Sequence, residues 1–498
     1  MKLKYNIILL LAGLFTISSC DLTEEPYGFY SENNFYKTPA DAEAAINYAY
    51  DALTYLEYSR AIFFVGDMPT DECSTKSDEA VDNVNLATWK TQNFSTNTML
   101  KNFFKYAYIA INRSNAVLEY VPQASFSQSL KDPYIGQAYF LRAWNYFNLA
   151  RNFGRVPIHK NVIATLDQTS APMAQDLSEV YDLILSDCRK AIELLPVDQV
   201  PGHADKVAAQ ALAAKVYLFM ASSKDHGVPQ YSTLSQDVNQ MYDSAAFFSG
   251  QVINDQGQYG FDSDLLNIYD VNEADGPEHI FIMSMDRGGL IEGDYSKISK
   301  LFIPYVSGSS IYLPDGDGTY TVSHDGWSVM QTNESFYSSF DGSDKRAQVL
   351  LVDSVFNEDG EVIATYPDGL PYRFSRKYID PEFVGDKTST KPYLIRYTDI
   401  ALTYAEAVGP TAEAYNLVNY VRNRAGLGNM QNGLSAPEFR ERILEERKHE
   451  FAFEGNRLYD LRRFNRITTD VESAAGLSAE DVAFYPIPQT EIDLNQEL

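Results

Sequence analysis

The side chains that could support catalysis are plentiful, but they do not fall into a catalytic pattern. Six histidines are scattered, and no His-Glu-x-x-His or Cys-x-x-Cys metal spacing, Gly-x-Ser-x-Gly elbow or phosphate-cradling glycine loop occurs. Two carboxylates suffice to hydrolyse a glycosidic bond. Among 68 Asp and Glu, however, a pair can always be found, so that test has no power. Asp315-Gly316-Asp317-Gly318 has the texture of a calcium loop, but Thr319 stands where a third acid is needed and Gly326 where a closing Glu belongs. A plain turn is the simpler reading. Against those acids stand 40 Lys and Arg, a net charge of −28, which excludes nucleic acid as a first partner because phosphate is held by basic surface. No cofactor is expected.

Binding chemistry is better represented. The chain carries 35 Tyr, 28 Phe and 3 Trp. Uncharged sugars offer hydroxyls and flat C–H faces, so a sugar site needs exposed rings for stacking and Asn, Asp, Gln or Arg for directional hydrogen bonds. Trp144 lies inside a helical stretch and is expected in the core. Trp89 follows an acidic segment containing Asp71 and stands near Asn93, and Trp327 closes a stretch that holds Tyr312 and Tyr320 among glycines. Asp71, Trp89, Asn93, Tyr312, Tyr320 and Trp327 therefore form the candidate ligand-binding set. Each ring also has a plainer reading, packing beneath a loop.

These residues need a frame, and helical periodicity supplies one in two blocks. The first runs over 40–255, with segments at Ala40–Ser59, Lys101–Val121, Pro133–Phe153, Leu177–Leu195, Ala204–Ser222 and Gln236–Ile253. The second runs over 395–465, with Ile395–Val408, Ala412–Ala425 and Ala436–Phe464. Gln137-Ala138-x-x-Leu141-Arg142-Ala143-Trp144-x-Tyr146 aligns with Gln210-Ala211-x-x-Ala214-Lys215-Val216-Tyr217-x-Phe219. Their offset is close to two tetratricopeptide periods, which favours stacked helical hairpins over a symmetric bundle. Between the blocks, 256–394 turns to Gly, Asp, Ser, Tyr and Pro, the composition of recognition loops. Acids and bases from Glu446 to Arg463 recur at three- and four-residue steps and predict a ladder of ion pairs along a helix.

Residues 1–19 read as a leader: Lys2 and Lys4, an apolar run from Ile7 to Ile17, then Ser18 and Ser19. The run is about 11 residues where a spanning helix needs roughly 20. Ile17-Ser18-Ser19-Cys20 resembles the bacterial lipoprotein box, which implies a lipid on Cys20 and a soluble single domain, 20–498, held at a bilayer. Cys73 and Cys188 are expected to be buried free thiols, although an oxidising compartment would permit their pairing.

Glu446-Arg447-Lys448-His449-Glu450-Phe451-Ala452-Phe453-Glu454-Gly455-Asn456-Arg457-Leu458-Tyr459-Asp460-Leu461-Arg462-Arg463 resembles the signature of the SusD/RagB family, outer-membrane nutrient-binding lipoproteins of Bacteroidetes. Ile395–Leu402, Val418–Leu427 and the tail from Ile487 to Asn495 carry the same texture. The resemblance implies a mostly α fold, a tetratricopeptide-like scaffold carrying a loop-rich variable region. It also implies a lid over a SusC-like TonB-dependent transporter, capture of oligosaccharides or polysaccharides at the outer face of the outer membrane, and no catalysis. Peptide capture of the RagB kind, a protein-binding tetratricopeptide scaffold and a surface glycosidase are the alternatives.

Overall fold

The computed structural model describes residues 35–198, 200–254, 259–306, 310–315 and 318–497. The leader and Cys20 lie outside the described residues, as do Gly316 and Asp317 of the acidic turn. Ten helices carry the frame: α1 (Pro39–Thr54), α2 (Thr98–Tyr120), α3 (Gln128–Phe153), α4 (Leu177–Leu194), α5 (Lys206–Asp225), α6 (Val238–Ile253), α7 (Tyr397–Val408), α8 (Ala412–Arg424), α9 (Ala436–Glu450) and α10 (Arg457–Arg463).

Their starts are written in short polar side chains. Thr38 and Asp41 form a capping box on α1, and the side chains of Asn97, Asp176, Asp205 and Asp237 accept from the first free N–H groups of α2, α4, α5 and α6. One start differs from the sequence reading. Ser127 precedes α3, so Pro133 sits inside the helix and does not open it. The end read at Phe153 holds: Gly154 follows it and caps α3 at φ +72, a conformation that costs glycine nothing.

Consecutive helices pack on one another from α2 to α6, and α6 then packs on α7, although 143 residues of sequence numbering separate Ile253 from Arg396. Small residues make this possible. Ala138, Ala143, Ala211 and Ala214, members of the repeated motif, are fully buried or within 1% of it. The loop-rich portion leaves and rejoins this frame through an antiparallel ribbon of β1 (His279–Ile282) and β6 (Tyr393–Arg396), all of whose residues are buried. Phe281 of β1 drives its ring between Phe140 and Trp144, with centroids 4.8 and 5.5 Å away. Trp144 is thus a core residue, as expected. A separate antiparallel sheet, in the order β3 (Tyr320–His324), β2 (Ser310–Pro314), β4 (Ser354–Phe356), β5 (Val362–Thr365), buries Ile311, Leu313 and Val355 on one face.

The charged signature near the C-terminus is a correction to the helix-ladder expectation. The helix read over 436–464 breaks at 451–456, where Phe453 and Gly455 take φ +62 and +73. The break turns the acids and bases away from their sequence neighbours and into the interior. Glu450 takes guanidinium groups from Arg346, Arg396 and Arg424, and Glu454 takes Lys377 at 2.7 Å and Arg396 at 2.9 Å. Arg447 bridges Asp399 at 2.7 Å and Asp460 at 2.9 Å. Buried ions of this kind hold only when each is paired and hydrogen-bonded, because their desolvation costs several kcal/mol per ion. Arg346 and Lys377 come from the stretch between the helical blocks, so the network fastens that stretch to the frame.

Candidate functional site

The sequence-predicted residues divide in the structure. Trp89 is a correction: it is 3% exposed, its Nε1 donates to the Pro69 carbonyl at 2.8 Å, and its ring stacks near Tyr485 at 6.3 Å. A ring with its N–H satisfied and both neighbours in the core has no face to lend a ligand. Asp71 is a second correction. Arg457 donates Nε and Nη2 to its two oxygens at 2.8 and 2.9 Å, and Lys448 adds an ion pair at 3.2 Å. Burial pushes the Asp71 carboxyl up, but Arg457 and Lys448 outweigh it and hold the group below the usual carboxylate range. Half-buried Asn93 donates to Asn85 at 3.1 Å.

The remaining three rings reach the surface in two places. Tyr312 and Tyr320 share the outward face of the β2–β3 pair, since Tyr312 opposes Val322 and Pro314 opposes Tyr320. Tyr320 is 42% exposed and lies 5.0 Å from Phe356. Trp327 stands elsewhere. Among the described residues neither tyrosine makes ring contact with it.

Trp327 is held by its backbone. Its N–H donates to Lys300 at 2.8 Å, Gly326 to Pro304 at 3.1 Å and Met330 to Leu301 at 2.8 Å, so 326–330 is zipped onto 300–304. Glycine is required at 326, because a Cβ there would lie 1.9 Å from the Ile303 carbonyl oxygen. On the other side Thr75 Oγ1 donates to Val329 at 2.7 Å, and Cys73 and Ser74 pair with Thr332 and Gln331. The half-buried indole therefore sits on fixed backbone, with Arg60 5.1 Å and Lys300 5.9 Å from its centroid. Arg60 is paired with Glu292, and Lys300 with Asp386 at 2.6 Å. The Lys300 hydrogen bond holds the Asp386 carboxyl below its ordinary range.

Three sequence positions away from Glu292, Tyr295 is half-buried beside Lys387 and Lys297, whose ammonium groups stand 4.7 and 5.9 Å from its centroid. The same surface continues along α1 and α2. Glu57 faces both Arg60 and Tyr106, Tyr106 lies 5.3 Å from Tyr55, and Arg113 stacks at 3.5 Å over Tyr48, itself 58% exposed. Sequence reasoning missed Tyr295, Arg60, Tyr48, Tyr55, Tyr106 and Arg113. The one signal for Tyr48 and Tyr106 was the aromatic richness of α1 and α2, and it does not distinguish buried from exposed rings.

This strip joins planar rings to charged donors and acceptors on rigid backbone, the combination needed to stack and orient a saccharide. Among the described residues no cluster of His, Cys, Asp and Glu is arranged to hold a metal ion, and no helix is long and apolar enough to cross a membrane. Cys73 and Cys188 are both buried and free.

Comparison with known proteins points in one direction. Residues 30–218 match a family model described as SusD-like, starch-binding and associating with the outer membrane, and residues 368–498 match the SusD family model. SusD-like protein P2 of Formosa agariphila is 27% identical over 533 aligned positions, covering 99% of this chain and 95% of that one. Among solved structures, a SusD homolog from Bacteroides thetaiotaomicron superposes with a TM-score of 0.77 at 21% identity, over 94% of this chain and 97% of its own. A laminarin-binding SusD-like protein superposes with a TM-score of 0.75 at 24% identity, over 92% and 98%. The fold is theirs: mostly helical, with the loop-rich portion set on the helices.

Proposed function

The chain belongs to the SusD/RagB family, and from that premise we propose that it captures oligosaccharides or polysaccharides outside the cell and passes them to a SusC-like TonB-dependent transporter. Cys20, by its lipoprotein-box context, carries the lipid that holds the protein on the outer membrane, facing the exterior. The observation that carries this reading is the pairing of Trp327 and Tyr295. Both rings are half-exposed, linked through Arg60 and Glu292, and the indole rests on backbone hydrogen-bonded to 300–304 on one side and to 73–75 on the other. Rings fixed in advance stack on a sugar without paying the entropy of ordering a loop. The laminarin-binding relative shows that this fold can carry a saccharide site.

Binding here is capture without cleavage. Glu292 and Asp386, the carboxylates that pair with the two cations lying against Trp327, are both engaged. A general acid must instead hold a proton at neutral pH. Affinity electrophoresis of the purified protein through gels containing single polysaccharides tests the whole reading. Retardation by at least one glycan, with no reducing ends released over hours, supports it. Accumulating reducing ends would make the protein a glycosidase, and free migration through every gel would remove the saccharide reading.

A further inference from the structure

We infer that the glycan recognised at the Trp327–Tyr295 face bears an anionic group, a carboxylate or a sulfate ester, which seats between Lys297 and Lys387 beside the Tyr295 ring. The inference rests on the saccharide reading above and specifies the chemical class of its ligand.

Four cations lie against these two rings: Arg60 and Lys300 at Trp327, Lys297 and Lys387 at Tyr295. They fall into two kinds. Arg60 and Lys300 are spent, the first on Glu292 and the second on Asp386 at 2.6 Å. Lys297 is not. Its nearest carboxylate oxygens, on Asp386 and Glu292, stand at 3.9 and 4.0 Å, beyond hydrogen-bond reach, and both belong to acids that already hold another cation. Lys387 donates to the Gly289 carbonyl at 2.8 Å and closes no ion pair among the described residues. Asp294, next to Tyr295 in sequence, turns an oxygen to the backbone N–H groups of Leu290 and Ile291 at 3.3 and 3.4 Å. Two half-buried ammonium groups thus converge on one aromatic ring with their charge incompletely answered, in a chain whose overall charge is −28.

Holding two ammonium groups at one ring and partly out of water, without a full counter-charge, is costly, and a neutral sugar would return nothing for it. An anionic substituent would. Charge-assisted hydrogen bonds from lysine to carboxylate or sulfate are about twice as strong as neutral ones, and the Tyr295 face beneath would take the ring that carries the anion. The acidic remainder of the molecule repels polyanions in general, so attraction would be confined to this spot, giving selectivity for where the anion sits as well as for its presence.

The test compares matched pairs by calorimetry on the purified full chain: oligogalacturonate with its methyl ester, dextran sulfate with dextran, and laminarin as a neutral reference. The expected result is at least about tenfold tighter binding of the charged member of one pair, weakening steeply between about 0.02 and 0.3 M salt. Preference within the first pair identifies a carboxylate and within the second a sulfate. Lys297→Gln and Lys387→Gln should each abolish that preference while leaving the melting temperature unchanged. Lys190→Gln, at an exposed lysine far along α4, should leave it intact. Laminarin bound through Trp327 with no gain for either charged partner would overturn this inference and leave saccharide capture standing. Equal loss in Lys190→Gln would reduce the preference to non-specific attraction and overturn it as well. Binding of none of the five would sink the saccharide reading, and this inference with it.

Discussion

Arg457 holds Asp71 through two parallel hydrogen bonds, 2.8 and 2.9 Å long, across 386 positions of sequence. The contact ties the segment between the short helix Ala61–Gly66 and the strand at Cys73 to the C-terminal signature. It also explains why an acid that sequence placed in the ligand site belongs to the frame. The same signature reaches back a second time at Gly455, whose N–H donates to Asp67 at 2.7 Å.

Trp89→Ala and Trp327→Ala should separate folding from binding. Losing the buried Trp89 ring costs about 3–5 kcal/mol, seen as a lower unfolding midpoint in urea. Losing the half-exposed Trp327 ring should leave the midpoint nearly unchanged and weaken glycan binding about tenfold or more in calorimetry. The opposite pattern would move the site away from Trp327.

Glu450 links pH to stability. Burial pushes its carboxyl up, but Arg424, Arg396 and Arg346 outweigh it and hold it at about 2. A carboxyl depressed in the folded state stabilises fully above its ordinary range and gives that stability up as pH falls toward 2. Urea midpoints measured from pH 6 to pH 2 should therefore drop most steeply below pH 4.5. Glu450→Gln, which leaves three guanidinium groups under-compensated, should lose about 3–5 kcal/mol at pH 7 and flatten the acid slope.

Asp67 gives the reverse slope. Burial pushes it up to about 8, and burial together with the Asp67 charge pushes Glu72 well above its ordinary range. A carboxyl raised in the folded state is most stabilising below its unfolded value, and that contribution is lost as pH rises toward 8. Asp67→Asn keeps an oxygen for the Gly455 N–H and cannot ionise. Its melting temperature should gain on the parent progressively from pH 4 to pH 8 and stay ahead by a constant amount above that.

Gly455→Ala should destabilise by more than about 1 kcal/mol. The residue has φ +73, and a Cβ there would lie 2.4 Å from Ile62 Cγ2, so backbone strain and overpacking add. Gly66→Ala should do the same from the other side, its Cβ meeting the Gly455 carbonyl oxygen at 2.3 Å. Thermal denaturation of both single variants checks the pair.

Much of the frame was legible in the chain because its causes are local. Caps such as Asp176 and Asp205, the glycine stop at 154, and the alternation of Ala with aromatics in α3 and α5 act within a few residues of themselves. The SusD/RagB resemblance was local too, carried by a run of consecutive residues. Where cause and effect are distant, sequence reading failed. The acids and bases from 446 to 463 looked like a helical ladder because spacing cannot reveal that Phe453 and Gly455 break the helix and send most of the charges to remote partners, Arg463 alone keeping an i,i+3 pair with Asp460 among the described ion pairs. Trp89 and Trp327 both read in sequence as candidate stacking rings, yet one is sealed by Tyr485 and the other is left half-open beside Arg60. Whether a ring stacks on a ligand or on its own protein depends on which chain segment arrives above it, and that is fixed by contacts hundreds of residues apart. The sequence alone determined the helical frame and the family; the tertiary structure decided which aromatic surface remains open to a ligand.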